Sequence, residues 1–572
     1  MPAPDEPVEC LMDKSLPQTE TPVPPESGSV LRGSAVTRWI DRNILELGRE
    51  MRWSYMPPIM VYMAAGVSGL TGIVGTFFVK DYLGLSAAFL AALGFWTVIP
   101  WSLKMVIGHV VDLSWRWKGL LVYLGATLIA ASLIIMAGLI GSREAMAAIM
   151  PVEAWFVLSA ILSPVGYVIQ DAVADAMTVE AVPRVDDQGV PIDIEKRKLM
   201  HTTMQTLGRV AIIGGSLLVA VVNLYMFSGT QALPEAVKVE IYHRVYLMAL
   251  AIPLISVLGV ITASLIGARK RRVLMANGMD ARTARDLVDG AEDRPPPNWW
   301  ILGGGAVFVA ITVTLGLSGY KYSQEVIFVC SLTIVVWLIQ RLTRELEPQA
   351  RETLLGTALV IFLFRATPSP GPGSTWWMID VLRFDQEFIS VLSLIGAALT
   401  LFGMFLFRRF MAERSITYVV GFLTIVGTIL SLPSLGMYYG LHHWTSALTG
   451  GIVDARFIAL VDTALESPLG QIAMIPMLAW IARCAPANLK ATYFAVMASF
   501  TNLALSMSQL GTKYLNQVLV VTREVKDPAS GMVRVPADYS ELGILFITCT
   551  VIGLALPLAG IAFAKSTRFR SA

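Results

Sequence analysis

Three acidic residues stand in a stretch apolar enough to lie in lipid: Asp171, Asp175 and Glu180 in Ser163–Pro183, SPVGYVIQDAVADAMTVEAVP. A carboxylate at hydrocarbon depth is costly and is retained where it has a partner or a task. Asp171 and Asp175 are four residues apart and share one helix face, while Glu180 is turned away toward the helix end. A second apolar stretch carries Lys104 in mid-helix with Asp112 further on, and a third carries Arg209. Counted from the polar ends at about 1.5 Å per residue, Lys104, Asp171, Asp175 and Arg209 reach a similar depth, roughly 10–15 Å in, which predicts that they meet. Such a mixed-charge cluster offers two kinds of chemistry. One acid could load and release a proton as a cavity changes sides, or the ion pairs could lock a gate, and the spacing leaves both open.

Further along, Arg365 falls near the middle of an apolar stretch just before Thr367-Pro368-Ser369-Pro370, and Asp462 and Glu466 precede Ser467-Pro468. Proline at these points breaks a helix and frees backbone carbonyls. A central arginine suits an anionic or planar heteroaromatic solute, because a guanidinium forks a carboxylate and stacks on rings; the alternative is a plain Arg365–Glu466 ion pair. Trp376 and Trp377 read as interface-belt aromatics rather than a solute platform, and a lone His109 as a packed or hydrogen-bonded residue. No phosphate loop, metal-ligand spacing or nucleophile elbow occurs, and Gly303-Gly304-Gly305 reads as a helix-packing run, so the sequence points to no enzyme, metal or cofactor. Cys10, Cys330, Cys484 and Cys549 have neither metal nor disulfide spacing.

The elements that must position these residues are membrane helices. The 572 residues are 55% apolar and 15% charged, with a mean hydropathy of +0.63, far from the composition of a soluble domain. A net charge of +2 gives no reason to expect nucleic acid. At about 20 apolar residues per span, about fourteen spans are expected. Six run over Pro57–Val79, Ala87–Val111, Gly119–Gly141, Val152–Val179, His201–Phe227 and Arg244–Ala268, and a hairpin over Trp299–Leu317 and Val326–Ile339 closes at a polar turn, Gly319–Glu325. Six more begin near Thr353, Phe388, Ile416, Phe457, Ala491 and Leu542. The organisation expected is a cytoplasmic tail with a possible interfacial helix (1–52), a six-helix bundle (53–268), a cytoplasmic linker (269–298), the extra hairpin and its linker (299–351) and a second six-helix bundle (352–572). Arg116, Lys118, Lys196–Lys198, Arg269–Arg272, Arg408, Arg409 and Lys565 all fall on one side, which predicts a multi-pass protein of the plasma (inner) membrane with both termini cytoplasmic.

The halves echo one another. Phe78, Asp81, Leu83 and Phe89 match Trp377, Asp380, Leu382 and Phe388, and Ser163-Pro164-x-Gly166 recurs as Ser467-Pro468-x-Gly470. Parallel six-helix halves joined by a cytoplasmic linker describe an all-α polytopic membrane protein of the major-facilitator fold with an inserted two-helix hairpin. The second-half counterparts of the acid pair are Ile475 and Ala479, so the acids are not needed merely to build the fold.

Four places resemble the folate-biopterin transporters. They are Lys80-Asp81-Tyr82-Leu83-Gly84-Leu85-Ser86 followed by Pro100-Trp101-x-x-Lys104-x-x-x-Gly108-x-x-x-Asp112; Gln170-Asp171-x-x-x-Asp175; Phe364-Arg365-Ala366-Thr367-Pro368-Ser369 with Leu382 and Phe384; and Asn488–Asn502 with Ala495 and Ser499. The resemblance implies uptake of folates or pterins with protons by alternating access between two bundles. Lys104, Asp112, Asp171, Asp175 and Arg209 would then serve coupling or gating. Arg365, Asp462, Glu466, Asn502 and Trp101 would face the solute. The family usually has about twelve spans, so the Trp299–Ile339 hairpin is a departure. A carrier or exporter of an unrelated solute, or a non-transporting pigment-assembly factor on the same scaffold, are the alternatives.

Overall fold

A computed structural model describes residues 45–83, 85–183, 192–230, 233–289, 297–345, 348–407, 410, 414–470, 490–526 and 532–567. Most of the tail, Arg408, Arg409, Ile475, Ala479 and Asn488 lie outside the described residues.

Long apolar runs become long helices because lipid offers the backbone no hydrogen-bonding partner but itself. The first half is α1 (Trp53–Leu83), α2 (Ala87–Leu113), α3 (Lys118–Gly141), α4 (Val152–Ala181), α5 (Ile194–Phe227) and α6 (Ala236–Ala276). After a short helix α7 (Ala281–Asp289) come the hairpin helices α8 (Trp299–Leu317) and α9 (Ser323–Leu342). The second half is α10 (Pro348–Arg365), α11 (Pro372–Asp380), α12 (Gln386–Leu406), α13 (Ile416–Tyr438), α14 (Ala455–Glu466), α15 (Lys490–Val518) and α16 (Leu542–Ser566). Eleven helices among the described residues are long and apolar enough to cross a membrane. α10, α14 and α15 carry more polar residues and pack among those eleven.

α5 and α6 begin several residues ahead of the expected His201 and Arg244, and two further boundaries differ. The sixth helix does not end at Ala268 but runs to Ala276, because Arg269–Arg272 are good helix formers that continue the spiral past the apolar run. The hairpin turn is shorter than Gly319–Glu325: α9 starts at Ser323, so Gln324 and Glu325 are helical, and both are bonded to neighbouring helices rather than solvated.

Within the first half, α3 packs along α4, and α1 against α5 and α6. The halves meet along two helix pairs, α2 with α15 and α5 with α12. The hairpin packs over the first of these seams. Its Gly305 lies so close to α2 that a Cβ there would overlap the Val106 side chain, which explains one member of the glycine run as a close-approach residue. A shared apolar core of Phe95, Ile99 and Met105 from α2, Phe308 from α8, Val335 and Leu338 from α9 and Phe500 and Leu503 from α15 fills this seam. Beyond α15 a small antiparallel pair of strands, β1 (Val525–Lys526) and β2 (Val533–Val535), shapes the loop that leads into α16.

Candidate functional site: a charged cluster in the first half

The helix α2 is interrupted at Ile99–Leu103, where Pro100 brings in a tighter 3-10 turn. Trp101 O accepts the N–H of Lys104 across this turn, so Met105 N loses its usual partner and donates instead to Ser499 Oγ of α15 at 3.1 Å. Asn502 Nδ2 on the same helix donates to Trp101 O at 3.1 Å. The break is therefore satisfied from the opposite half, and it sets the direction in which Lys104 leaves the helix.

That direction is toward α4. Lys104 Nζ lies 2.5 Å from Asp171 Oδ2 and 2.7 Å from Asp175 Oδ2, and Tyr62 OH on α1 donates to Asp175 Oδ1 at 2.5 Å. The side chains of Lys104 and Asp171 are 16% and 17% exposed, while Asp175 at 39% is the acid open to the surroundings. Arg209 on α5 is near enough to act electrostatically on both Asp171 and Tyr62. Two cations thus face two anions, which offsets the cost of holding each at this depth. Gly208 seats the tyrosine, since a Cβ there would stand 2.9 Å from its ring.

Gln170 fixes α4 on its other side. Its Nε2 donates to Val122 O of α3 at 3.2 Å, and its Oε1 accepts from Ser256 Oγ of α6 at 2.9 Å. With that residue tied outward, the next one, Asp171, is committed to the interior. Glu180 is well away from the pair, as its spacing predicts, and meets Lys118 at 3.0 Å.

The structure does not bring every candidate to this place. Asp112 is eight residues beyond Lys104 on α2, about 12 Å along the axis; it is half-buried and has no ion pair or hydrogen bond among the described residues. Arg365 closes α10, half-buried, with no ion pair among the described residues, and Glu466 is exposed, so the Arg365–Glu466 pair is not formed. Asp462 Oδ2 accepts weakly from Ser434 Oγ at 3.4 Å, and its buried Oδ1 has no partner among the described residues. After Arg365 the prolines do free carbonyls, and α15 takes them up: Ser508 Oγ donates to Thr367 O and Asn516 Nδ2 to Pro370 O. His109 is buried and its Nε2 accepts from Asn298 N at 2.8 Å, a hydrogen-bonded histidine at the foot of the hairpin.

A second polar cluster joins the halves at the end of the molecule where α1 gives way to α2. Lys80 Nζ lies 2.6 Å from Asp380 Oδ1 of α11 and 3.2 Å from Asp81 Oδ1, and Tyr539 OH donates to Asp380 Oδ2 at 2.5 Å. Arg523, 2% exposed, donates from Nη1 to Val79 O at 2.8 Å and lies over the Trp376 ring. Trp376 and Trp377 are 2% and 3% exposed, which corrects their reading as belt aromatics: they pack inside the second half, one of them beneath this arginine. At the same end Gln386 Nε2 donates to Tyr242 OH and Gly229 N to Glu387 Oε2, again from one half to the other. Sequence reasoning did not assign Tyr62, Lys80, Asp380, Arg523 or Tyr539 to a site. The repeat that pairs Asp81 with Asp380 was the available signal, since equivalent positions in parallel halves lie at the same end.

Two packed helical halves, a hairpin over their seam, broken helices and buried charge in the first half define a membrane transporter of the major-facilitator type. The chain belongs to the BT1 family, whose model matches residues 65–567. A protein of Synechocystis sp. named folate-biopterin transporter is 23% identical over 480 residues, covering 83% of this chain and 77% of that protein. Among solved structures, a peptide transporter POT in complex with sulfate superimposes with a TM-score of 0.55 at 14% identity, covering 90% of this chain and 94% of the other. A mutant form of the nucleoside transporter NupG does so with a TM-score of 0.50 at 14% identity, covering 89% and 99%. These likenesses establish the fold.

Proposed function

We propose that the protein is a proton-coupled importer of a folate- or pterin-like anionic solute, working by alternating access in the plasma (inner) membrane with both termini in the cytoplasm. The observation that carries the coupling is the Lys104 ammonium shared between Asp171 and Asp175. A proton arriving on Asp175, the more open acid, cancels one of two attractions on Lys104 and leaves the Tyr62 hydroxyl to change partner, so protonation alters how α1, α2 and α4 hold together. Arg209 balances the remaining charge. Membership of the family and the name of the Synechocystis relative support a folate or pterin, and Arg365, a half-buried guanidinium with no ion pair among the described residues, suits its carboxylate or ring. Trp101, Asn502, Asp462 and Glu466 complete the proposed solute-facing set, with Asp112 toward the cytoplasmic mouth. In the orientation given by the positive-inside rule, the Lys80–Asp380 cluster lies on the outer side and holds it shut.

The reading is tested in proteoliposomes with an inward proton gradient. Labelled folate is expected to accumulate, and Asp175→Asn is expected to abolish accumulation while leaving folate exchange between equal pools intact. Full gradient-driven uptake by the Asp175→Asn protein would remove the coupling role and leave the cluster as a structural lock. Absence of folate binding by the wild-type protein would instead remove the solute.

A further inference from the structure

The cluster at the Lys80 end holds a feature that joining the halves does not explain. Arg523 is 2% exposed, yet of its guanidinium only Nη1 is used, donating to Val79 O at 2.8 Å; Nε and Nη2 are buried with no hydrogen-bond partner among the described residues. Buried donors left idle are costly, and such an arginine calls for a second state in which they are used.

The second state follows from which half each group belongs to. Val79, Lys80 and Asp81 share the π turn Val79–Leu83 that ends α1, so they move with the first half. Asp380 ends α11, and Arg523 and Tyr539 lie on the connection between α15 and α16, all in the second half. That half is tied together here: Tyr539 OH donates to Asp380 Oδ2, Tyr438 OH donates to Tyr539 O at 2.9 Å, and Gly373 of α11 lets Val521 in so close that a Cβ there would overlap it. Trp376 and Asp380 are four residues apart on α11 and share one face. The guanidinium over the Trp376 ring therefore stands about one turn from Asp380, near enough to feel its charge and that of Asp81.

In the structure both cations look across to the other half, Lys80 to Asp380 at 2.6 Å and Arg523 to Val79 O. Each also has an acid in its own half: Lys80 has Asp81 at 3.2 Å, and Arg523 has Asp380 a turn away. Parting the halves carries off Lys80 and Val79 together, since they are adjacent in the chain. The second half is then left with a carboxylate that has lost its lysine and a guanidinium with every donor open. A partly buried carboxylate is costly alone, and a guanidinium fork fits it. We propose that Arg523 takes Asp380 over from Lys80 when this end opens, while Lys80 withdraws to Asp81. Each half then keeps one cation and one acid of this set in both states. The exchange rests on the reading that the halves part here during transport. Arg523 is a positioning residue, acting on the solute only through the opening it stabilises.

The experiment uses the full-length protein in nanodiscs, its four native cysteines replaced by alanine and spin labels attached at Ile149→Cys and Ile452→Cys, exposed positions of the two halves. Both lie at this end, where the neighbouring Arg143 and Arg456 donate to Tyr82 O and Arg383 O. Double electron–electron resonance reads the ratio of long to short label distances. Lys80→Gln strips the closing pair and is expected to raise that ratio; no rise would overturn the opening itself, and the exchange with it. Added to Lys80→Gln, Arg523→Gln is expected to bring the ratio down about tenfold, because Asp380 then has no cation in the open state. Arg523→Lys keeps a cation for Asp380 and is expected to leave most of the rise in place. Asp380→Asn is expected to lower the ratio as well, and Arg523→Gln on top of it to lower it no further. A ratio that rises with Arg523→Gln would make the arginine a mere tie to Val79. That result, an unchanged ratio, or an undiminished Arg523→Gln effect beside Asp380→Asn overturns the exchange and leaves the opening standing.

Discussion

Lys104 shows how one side chain can be needed in two ways. It neutralises two acids at once, and its removal would leave Asp171 and Asp175 side by side with the Tyr62 hydroxyl and the Arg209 charge to offset them. Taking one partner out of a largely buried ion pair typically costs about 3–5 kcal/mol, much of it the burden of the charge left behind. Lys104→Ala is therefore expected to lower the thermal unfolding temperature strongly, and Lys104→Ala in an Asp171→Asn/Asp175→Asn background to recover most of that loss. A double-mutant cycle on unfolding midpoints measures the coupling; additive effects would mean the three groups do not form a unit. The cluster was legible in the sequence because ionised residues at equal depth in apolar stretches have few ways to be tolerated other than meeting. Tyr62 was not legible, since a tyrosine in a membrane helix has many ordinary uses and only the crossing of α1 over α4 brings its hydroxyl to Asp175.

At the scale of elements, the hairpin and the break in α2 are coupled. α8 lies on α2 through Gly305, while α9 reaches α15 through Glu325, whose Oε1 accepts from Lys513 Nζ at 2.7 Å and from Tyr514 OH at 2.6 Å. The hairpin therefore touches both sides of one seam instead of lying apart from the halves, as an insertion between them could have done. Gly305→Leu would need space now filled by Val106, and overpacking of this kind usually costs about 1–3 kcal/mol. It is expected to lower the unfolding midpoint and raise protease cleavage within 297–345, both read on purified protein; Gly303→Ala, where a Cβ meets nothing within 4 Å, is expected to change neither. The glycine run was recognised as a packing feature from composition alone. Which glycine packs, and against what, depends on the rotation of α8 about its axis, and apolar residues on every side of that helix give no face to read.

For the molecule as a whole, the polar contacts at the Lys80 end tie one half to the other, and in the proposed transport cycle they would have to break for that end to open. Lys80 comes from α1, Asp380 from α11, and Arg523 and Tyr539 from the connection between α15 and α16, and the halves cannot part there without breaking the 2.6 Å Lys80–Asp380 pair and the bond from Arg523 to Val79 O. Replacing Lys80 and Asp380 with cysteine and bridging them with a bis-methanethiosulfonate, which releases methanesulfinate as each reducible disulfide forms and is long enough to stand in for the lysine chain, is expected to stop transport. Cleaving the bridge is expected to restore it. Bridged protein that transports at the unbridged rate would show that this end need not open. That the chain crosses the membrane many times, by contrast, followed from its apolar runs, because hydrocarbon thickness acts on each stretch of chain locally.

The sequence by itself determined that this chain is a bundle of membrane helices in two related halves with an inserted hairpin, since backbone satisfaction in lipid allows little else, and that buried charge must assemble in the first half. The tertiary structure alone decided that Asp112, Arg365 and Glu466 stand outside that assembly, that Asn502 and Ser499 close the break at Pro100 from the other half, and that Lys80 and Asp380 join the halves. Helix periodicity fixes which residues share a face of one helix. How helices are rotated and crossed against one another is settled by close packing among residues far apart in the chain, and no local pattern records it.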